Sequence, residues 1–248
     1  PLLISMPHNS SEIPHEVAVR MTSDAQKSKD SDWFLDHLYD FAHDLGVHSI
    51  KPKWSRNYID LNRNPSGEAL YPGSSNTELC PLTDFDDQPI YLPGQQPEQN
   101  EIEQRINLAW KPYHHCIEMV IAAMVAEHGY AILFDAHSIR SKVPRFFDAQ
   151  LPDFNFGNAA GKSCDNSLLT KLEELNYQPW SQVSNGRFKG GYITRNYGDP
   201  ANKIHALQLE LSQATYMDEE RLEWHPIKAD KVKIQLQAII QSLLDWKP

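Results

Sequence analysis

Three short apolar runs in this chain each finish on a group that titrates or binds metal, and this pattern narrows the fold more than any other feature. The runs are LLISMPH, ending at His8; AILFDAH, ending at His137; and ALQLELS, which carries Glu210 between Leu209 and Leu211. Short apolar runs bounded by turn residues read as buried strands, and open α/β sheets bind their ligands at the carboxyl ends of strands. Two histidines that end parallel strands alike would converge on one edge of a sheet.

The intervening sequence supplies helices. Phe34, Leu38, Phe41 and Leu45 recur at helical spacing up to Gly46. Residues 47–50 and 58–61 read as short strands. A long helix is expected where Ile102, Ile106, Ala109, Tyr113, Ile117, Val120 and Met124 share a face, kinked at Pro112 and stopped by Gly129. Residues 167–175 read as helix and 190–195 as extended chain. Val232, Leu236, Ile239 and Leu243 mark a closing amphipathic helix. Residues 64–96 are rich in Pro, Gly, Asp and Asn without a period, as in a functional or mobile loop, and would serve as a lid over a closed pocket. Strands and helices alternate with no linker or repeat, so residues 1–248 are expected to form a single α/β domain, with helices on both faces of a mixed sheet.

Composition removes several classes of partner. The 248 residues hold 23 Lys and Arg against 33 Asp and Glu, a formal charge of −10, which argues against nucleic acid. An anionic substrate therefore needs a local arginine cluster. No apolar stretch approaches the ~18 residues of a membrane span, so no membrane partner is expected. The three cysteines, Cys80, Cys116 and Cys164, lack CxxC spacing, against a disulfide framework or a thiolate zinc cluster. No secretory leader is visible, so the cytoplasm is the expected home. The sequence begins at Pro1 rather than Met, so residues ahead of it are expected. It does not reveal an oligomeric state.

Neutral imidazole is the commonest metal ligand, and zinc hydrolases use three protein ligands plus a water. With His8 and His137 as two, a carboxylate is wanted as the third. Asp32, Glu12, Asp135 and Asp60 are the candidates. Asp32 also suits the cap of a helix it would open, and Glu12 also suits a solvated loop. Asp135 is expected to orient the surroundings of His137, its side chain turned to the opposite face. Glu210 is either a buried general base with a raised pKa or the outward face of an alternating edge strand.

The segment SRNYIDLNRNP brings Arg56, Asn62 and Arg63, and arginine grips a carboxylate through paired hydrogen bonds. Arg140, Arg187 and Arg195 lie near further expected strand ends. Gly190 and Gly191 make either a turn or a place where backbone approaches a ligand closely. No GxSxG elbow, P-loop or GxGxxG is present. His114 and His115 point about 100° apart on a helix and do not easily share an ion.

Six segments in order, LLISMPHNS, SDWFLDHLYDFA, SRNYIDLNR, ILFDAHSIRS, NGRFKGGYITRNYG and LQLELSQATYM, together resemble the N-formylglutamate amidohydrolases. The resemblance covers Leu2 to about Met217. It implies a three-layer α/β/α sandwich with a mixed sheet, of the zinc-carboxypeptidase-like (phosphorylase/hydrolase-like) kind. It also implies hydrolysis of a small anionic substrate, N-formyl-L-glutamate, to L-glutamate and formate, a late step of histidine degradation.

By the same resemblance His8, His137 and Asp32 hold Zn2+ or another divalent metal, and Glu210 is the general base. Asn62 and Arg63 resemble the pair that grips a substrate α-carboxylate, and Arg56, Arg140, Arg187 and Arg195 compete for the second carboxylate. MPHNSSEIP departs from the commoner PHAG-like loop, which keeps Glu12 open as the third ligand. Two other readings stay open: a zinc amidase or carboxypeptidase acting on another N-acyl amino acid, peptide or cell-wall fragment, and a non-catalytic ligand-binding domain.

Overall fold

Side chains along a strand alternate between the two faces of a sheet, and here both faces are apolar and covered. The computed structural model describes residues 1–68 and 77–248. Along the chain run β1 (Leu2–Ser5), α1 (His15–Ala18), α2 (Leu35–Leu38), β2 (His48–Ile50), α3 (Gln99–Arg105), α4 (Lys111–His128), β3 (Ala131–Ile139), β4 (Phe154–Gly157), α5 (Asn166–Glu173), β5 (Gln182–Ser184), α6 (Tyr192–Tyr197), β6 (Ile204–Ser212), the short β7 (Met217–Asp218) and β8 (Glu223–Trp224), and α7 (Pro226–Asp245). Six strands form one sheet in the order β2-β1-β3-β6-β4-β5. All neighbours are parallel except β4 and β6, so the sheet is mixed, as expected.

Leu2, Ile4, Phe134, Leu207 and Leu209 pack on one face with Leu168 of α5 and with Val232, Leu236, Ile239 and Leu243 of α7. Leu3, Leu133 and Ala206 pack on the other against Tyr113, Ile117, Ile121 and Met124 of α4 and Ile193 of α6. Helices thus cover both faces, the expected α/β/α layering. No helix among the described residues is long and apolar enough to cross a membrane.

The central pair β3–β6 sets up the chemistry. Asp135 pairs with Gln208 and His137 with Glu210, and all four side chains lie on the α4 face, opposite Leu207 and Leu209. β6 lies between β3 and β4, so Glu210 is not on an edge strand. Asp135 and His137 share a face because they are two residues apart, which corrects the expectation that Asp135 points away.

Other local expectations change for identifiable reasons. The helix expected from Phe34 to Gly46 is broken: Phe34 has φ 60° ahead of α2, and residues Asp40–Leu45 form a 3₁₀ segment. The tighter three-residue turn leaves Leu45 42% exposed. Residues 58–61 bury Tyr58, Ile59 and Leu61 but form turns, not a strand. Their backbone bonds to Ser55 and Leu79 and to side chains instead of a ladder. Residues 190–195 are not extended, since Gly190 turns the chain at φ +117° and α6 starts directly after Gly191.

Where a kink was expected at Pro112, residues Ile106–Trp110 form a wider π-helical turn. Pro112 has no N–H to give the preceding turn, which accommodates the gap. Gly129 ends α4 as expected, at φ +79°. Of the expected loop 64–96, residues 77–96 contain no helix or strand beyond isolated bridges, and Ala69–Asn76 lie outside the described residues.

Leu236 of α7 is fully buried against the sheet, whereas Ile234, two residues earlier, is 69% exposed. Leu236→Ala is expected to lower unfolding free energy by about 2–5 kcal/mol, and Ile234→Ala by less than ~0.5 kcal/mol. Urea unfolding of the two variants checks this assignment of faces.

Candidate metal and substrate site

His8 leaves β1 in a turn stiffened by Pro7, and His137 stands near the end of β3, the adjacent parallel strand. Their ring centroids are 5.0 Å apart. Asp32 arrives from the turn ahead of α2, held by its backbone N–H on the His8 carbonyl at 3.1 Å. It does not open the helix and caps nothing, since α2 starts at Leu35 with no side-chain cap. The Asp32 Oδ2 atom lies 3.1 Å from His137 Nδ1 and 3.6 Å from His8 Nδ1. All three residues are buried, and one donor atom from each falls within 4.8 Å of the others. Glu12 is exposed and lies outside this group.

The far sides of both rings face carboxylates. His8 Nε2 bonds Asp60 Oδ1 at 2.7 Å, and His137 Nε2 lies 3.1 Å from Asp135 Oδ2. These are the partners that fix the tautomer and orientation of a metal-binding imidazole. Asp60 and Asp135, two of the sequence candidates for third ligand, therefore stand behind the histidines rather than beside Asp32. Ser5 Oγ donates to Asp135 at 3.1 Å and Tyr113 adjoins Ser5 at 3.1 Å, which continues the support into α4.

The charges are consistent with a cation site. Burial disfavours the Asp32 anion, yet His8 and His137 outweigh it and hold its pKa low. Burial likewise opposes Asp60, which His8, Arg63 and Arg56 hold well below the usual range. Burial lowers the His137 pKa, but Asp135 and Asp32 raise it well above an ordinary histidine. A ring with carboxylates at both nitrogens keeps both protons unless a cation replaces one. Two imidazoles and a carboxylate also match the ligand set of hydrolytic zinc sites, so the residues present fit a divalent metal.

Glu210 is buried beside this group, and its Oε2 is 3.5 Å from Gln208 Nε2. Burial raises its pKa to about 8; His137 opposes the rise, and the neighbouring Asp32 adds to it. A nearby divalent charge acts the other way.

A cleft opens over these residues, lined in part by His8, His137, Glu210, Asn62, Arg63 and Arg187. Asn62 Nδ2 lies 3.1 Å from His137 Nε2, and its Oδ1 accepts from the Ile193 N–H at the start of α6 at 2.8 Å. Gly191 makes this possible, because a Cβ there would clash with Asn62 Nδ2. Gly191 is thus explained by a close approach of protein to protein, and Gly190 by the turn it makes.

The arginines separate. Arg56 also lines the cleft but pairs with Asp60 at 2.7 Å. Arg187 donates from Nε to the Phe146 carbonyl at 2.7 Å and lies against the Phe146 and Phe188 rings. Arg140 pairs with Asp30 and Asp86, and Arg195 donates to the Gly190 carbonyl; neither lines the cleft. Sequence reasoning missed Gln208 and the aromatic seat of Arg187. Gln208 was detectable, lying two residues before Glu210 and so on its face.

A family model described as N-formylglutamate amidohydrolase matches residues 1–217. The chain is 43% identical over 249 residues to N-formylglutamate deformylases of Pseudomonas aeruginosa and Pseudomonas putida, with 99% of this chain and 93% of each relative covered. Its fold superposes on the crystal structure of N-formylglutamate amidohydrolase from Ralstonia eutropha with a TM-score of 0.82 at 23% identity, covering 98% of this chain and 91% of that one.

Glu210 yields a pH prediction for protein stripped of divalent ions. Its native pKa of about 8 exceeds the ordinary 4.5, so between those values the unfolded chain releases a proton that the native state retains. The stabilising contribution is complete below 4.5 and is lost as pH rises through about 8. Glu210→Gln removes this dependence. Its unfolding free energy minus that of wild type should therefore increase from about pH 5 to about pH 8; a pH-independent difference contradicts the buried, protonated carboxyl.

Proposed function

The chain belongs to the N-formylglutamate amidohydrolase family, and on that premise we propose that it hydrolyses N-formyl-L-glutamate to L-glutamate and formate as a single zinc-dependent domain spanning residues 1–248. The observation that carries this reading is one cleft lined by His8 and His137 of the buried His–Asp–His group, by the buried Glu210 and by three arginines, Arg56, Arg63 and Arg187.

His8, Asp32 and His137 hold the ion, with Asp60 and Asp135 fixing the rings from behind. Bound there, zinc supplies Lewis-acid polarisation of the formyl oxygen, a more acidic water and a charge that lowers the Glu210 pKa. Glu210 takes a proton from the attacking water at a carboxylate oxygen and passes it to the amide nitrogen of the departing glutamate. The water's hydroxyl ends on formate and its proton on the amine, so the reaction balances.

A substrate with two carboxylates needs two cationic contacts. Asn62 and Arg63 hold the α-carboxylate next to His137. Arg187, its guanidinium oriented by Phe146 and Phe188, receives the side-chain carboxylate. Arg56 keeps Asp60 charged and in place behind His8. The cysteines Cys80, Cys116 and Cys164 are unbridged, in keeping with a reducing, cytoplasmic location.

Glu210→Gln is expected to slow hydrolysis by about 10²- to 10⁴-fold while zinc content stays at the wild-type level; a near-wild-type rate removes Glu210 from the reaction. N-Formyl-L-alanine lacks the side-chain carboxylate, and losing one charge-assisted contact should lower kcat/KM by at least ~10-fold. Equal turnover of the two substrates contradicts recognition of a diacid.

A further inference from the structure

Among the described residues, the segment that carries Asn62 and Arg63 has no sheet neighbour, yet its three successive carbonyls are all engaged by side chains. His114 Nε2 bonds the Leu61 carbonyl at 2.8 Å, Arg63 Nη1 donates to the Asn62 carbonyl at 2.9 Å, and Trp110 Nε1 donates to the Arg63 carbonyl at 3.0 Å. Two of these donors come from one helical face, where residues four apart are neighbours. The Trp110 and His114 rings stack at 3.7 Å and 20°. The ring of Tyr197 in α6 lies 5.8 Å from that of His114, at 16° to it.

The protonation of His114 follows from its partners. A carbonyl only accepts, so Nε2 carries the hydrogen and Nδ1 accepts from the Tyr197 hydroxyl at 2.9 Å. Burial pushes its pKa down to about 4, which leaves the ring neutral at physiological pH. Trp110 closes the π-helical turn Ile106–Trp110, a feature frequent at functional sites.

We propose that Trp110 and His114 are positioning residues for α-carboxylate recognition: they clamp the backbone at 61–63 so that Asn62 and Arg63 meet the substrate in a fixed geometry. The inference rests on the reading of Asn62 and Arg63 given under Proposed function. It assigns to the π-helical turn and the start of α4 a role that neither residue could have through direct contact, since neither lines the cleft.

The test uses Trp110→Phe, which keeps an aromatic ring on His114 and removes only the donor to Arg63, against ligands with and without an α-carboxylate. N-Formyl-4-aminobutyrate is N-formylglutamate without its α-carboxylate, so it bypasses the clamped segment, whether used as substrate or as competitive inhibitor. For N-formylglutamate, KM is expected to rise about 2- to 10-fold, the effect of one lost hydrogen bond, with kcat changed less than ~2-fold. The dissociation constant of L-glutamate, measured by calorimetry, should rise by the same factor, while the constant for N-formyl-4-aminobutyrate stays at its wild-type value.

His114→Gln, whose amide retains a donor, should lose less affinity for N-formylglutamate than His114→Ala. An unchanged KM for N-formylglutamate, or an equal rise for both ligands, overturns the clamp. If the wild-type protein hydrolyses a different N-acyl amino acid, the substrate assignment falls, and the same paired comparison on that compound and its decarboxylated analogue still decides the clamp.

Discussion

Asp32, Asp60, Asp135 and Glu210 are all buried at the carboxyl end of the central strands, and the rest of the structure is arranged around keeping them there. Isolated charges at such depth are prohibitively costly, and they persist only when paired and hydrogen-bonded. Here His8, His137 and Arg56 lie among them, each within reach of at least one carboxylate. Asp60 shows how closely the partners are shared: one oxygen meets His8 and the other meets Arg56, both at 2.7 Å.

That constraint explains the central position of β3 and β6. Their parallel register puts His137 opposite Glu210 and Asp135 opposite Gln208, while Ala136 and Leu209 between them enter the other core. α4 then supports both halves of the site from adjacent residues. Tyr113 reaches Asp135 through Ser5, behind a histidine of the candidate metal group, and His114 holds the Leu61 carbonyl, behind the proposed carboxylate grip. The two halves are coupled directly where Asn62 meets His137.

Much of this was legible in the sequence because it was written in apolar runs. His8, His137 and Glu210 stood out as polar groups at the ends of, or inside, otherwise apolar strands, and the structure places all three around one cleft. The helix α7 was plain from Val232, Leu236, Ile239 and Leu243, all fully buried. What failed did so where backbone groups find side-chain partners. Residues 58–61 read as a short strand, but Arg105 and His114 take the Tyr58 and Leu61 carbonyls. α6 was hidden because its opening amides are satisfied by remote residues, Gly191 N–H by Gln208 and Ile193 N–H by Asn62. β4 and β5, with four and three residues, are too short to show a period. The choice between Asp32 and Glu12 needed three dimensions, since nothing local to either says which one comes back to the histidines.

The proposed reaction requires a divalent ion between His8, Asp32 and His137. Anomalous diffraction recorded on either side of the zinc absorption edge, from crystals of zinc-loaded enzyme, tests this directly. The expected result is one strong peak within bonding distance of His8 Nδ1, His137 Nδ1 and an Asp32 oxygen, at about 2.0–2.2 Å, with Glu12 remote from it. A peak elsewhere, or coordination by Glu12 in place of Asp32, would contradict it.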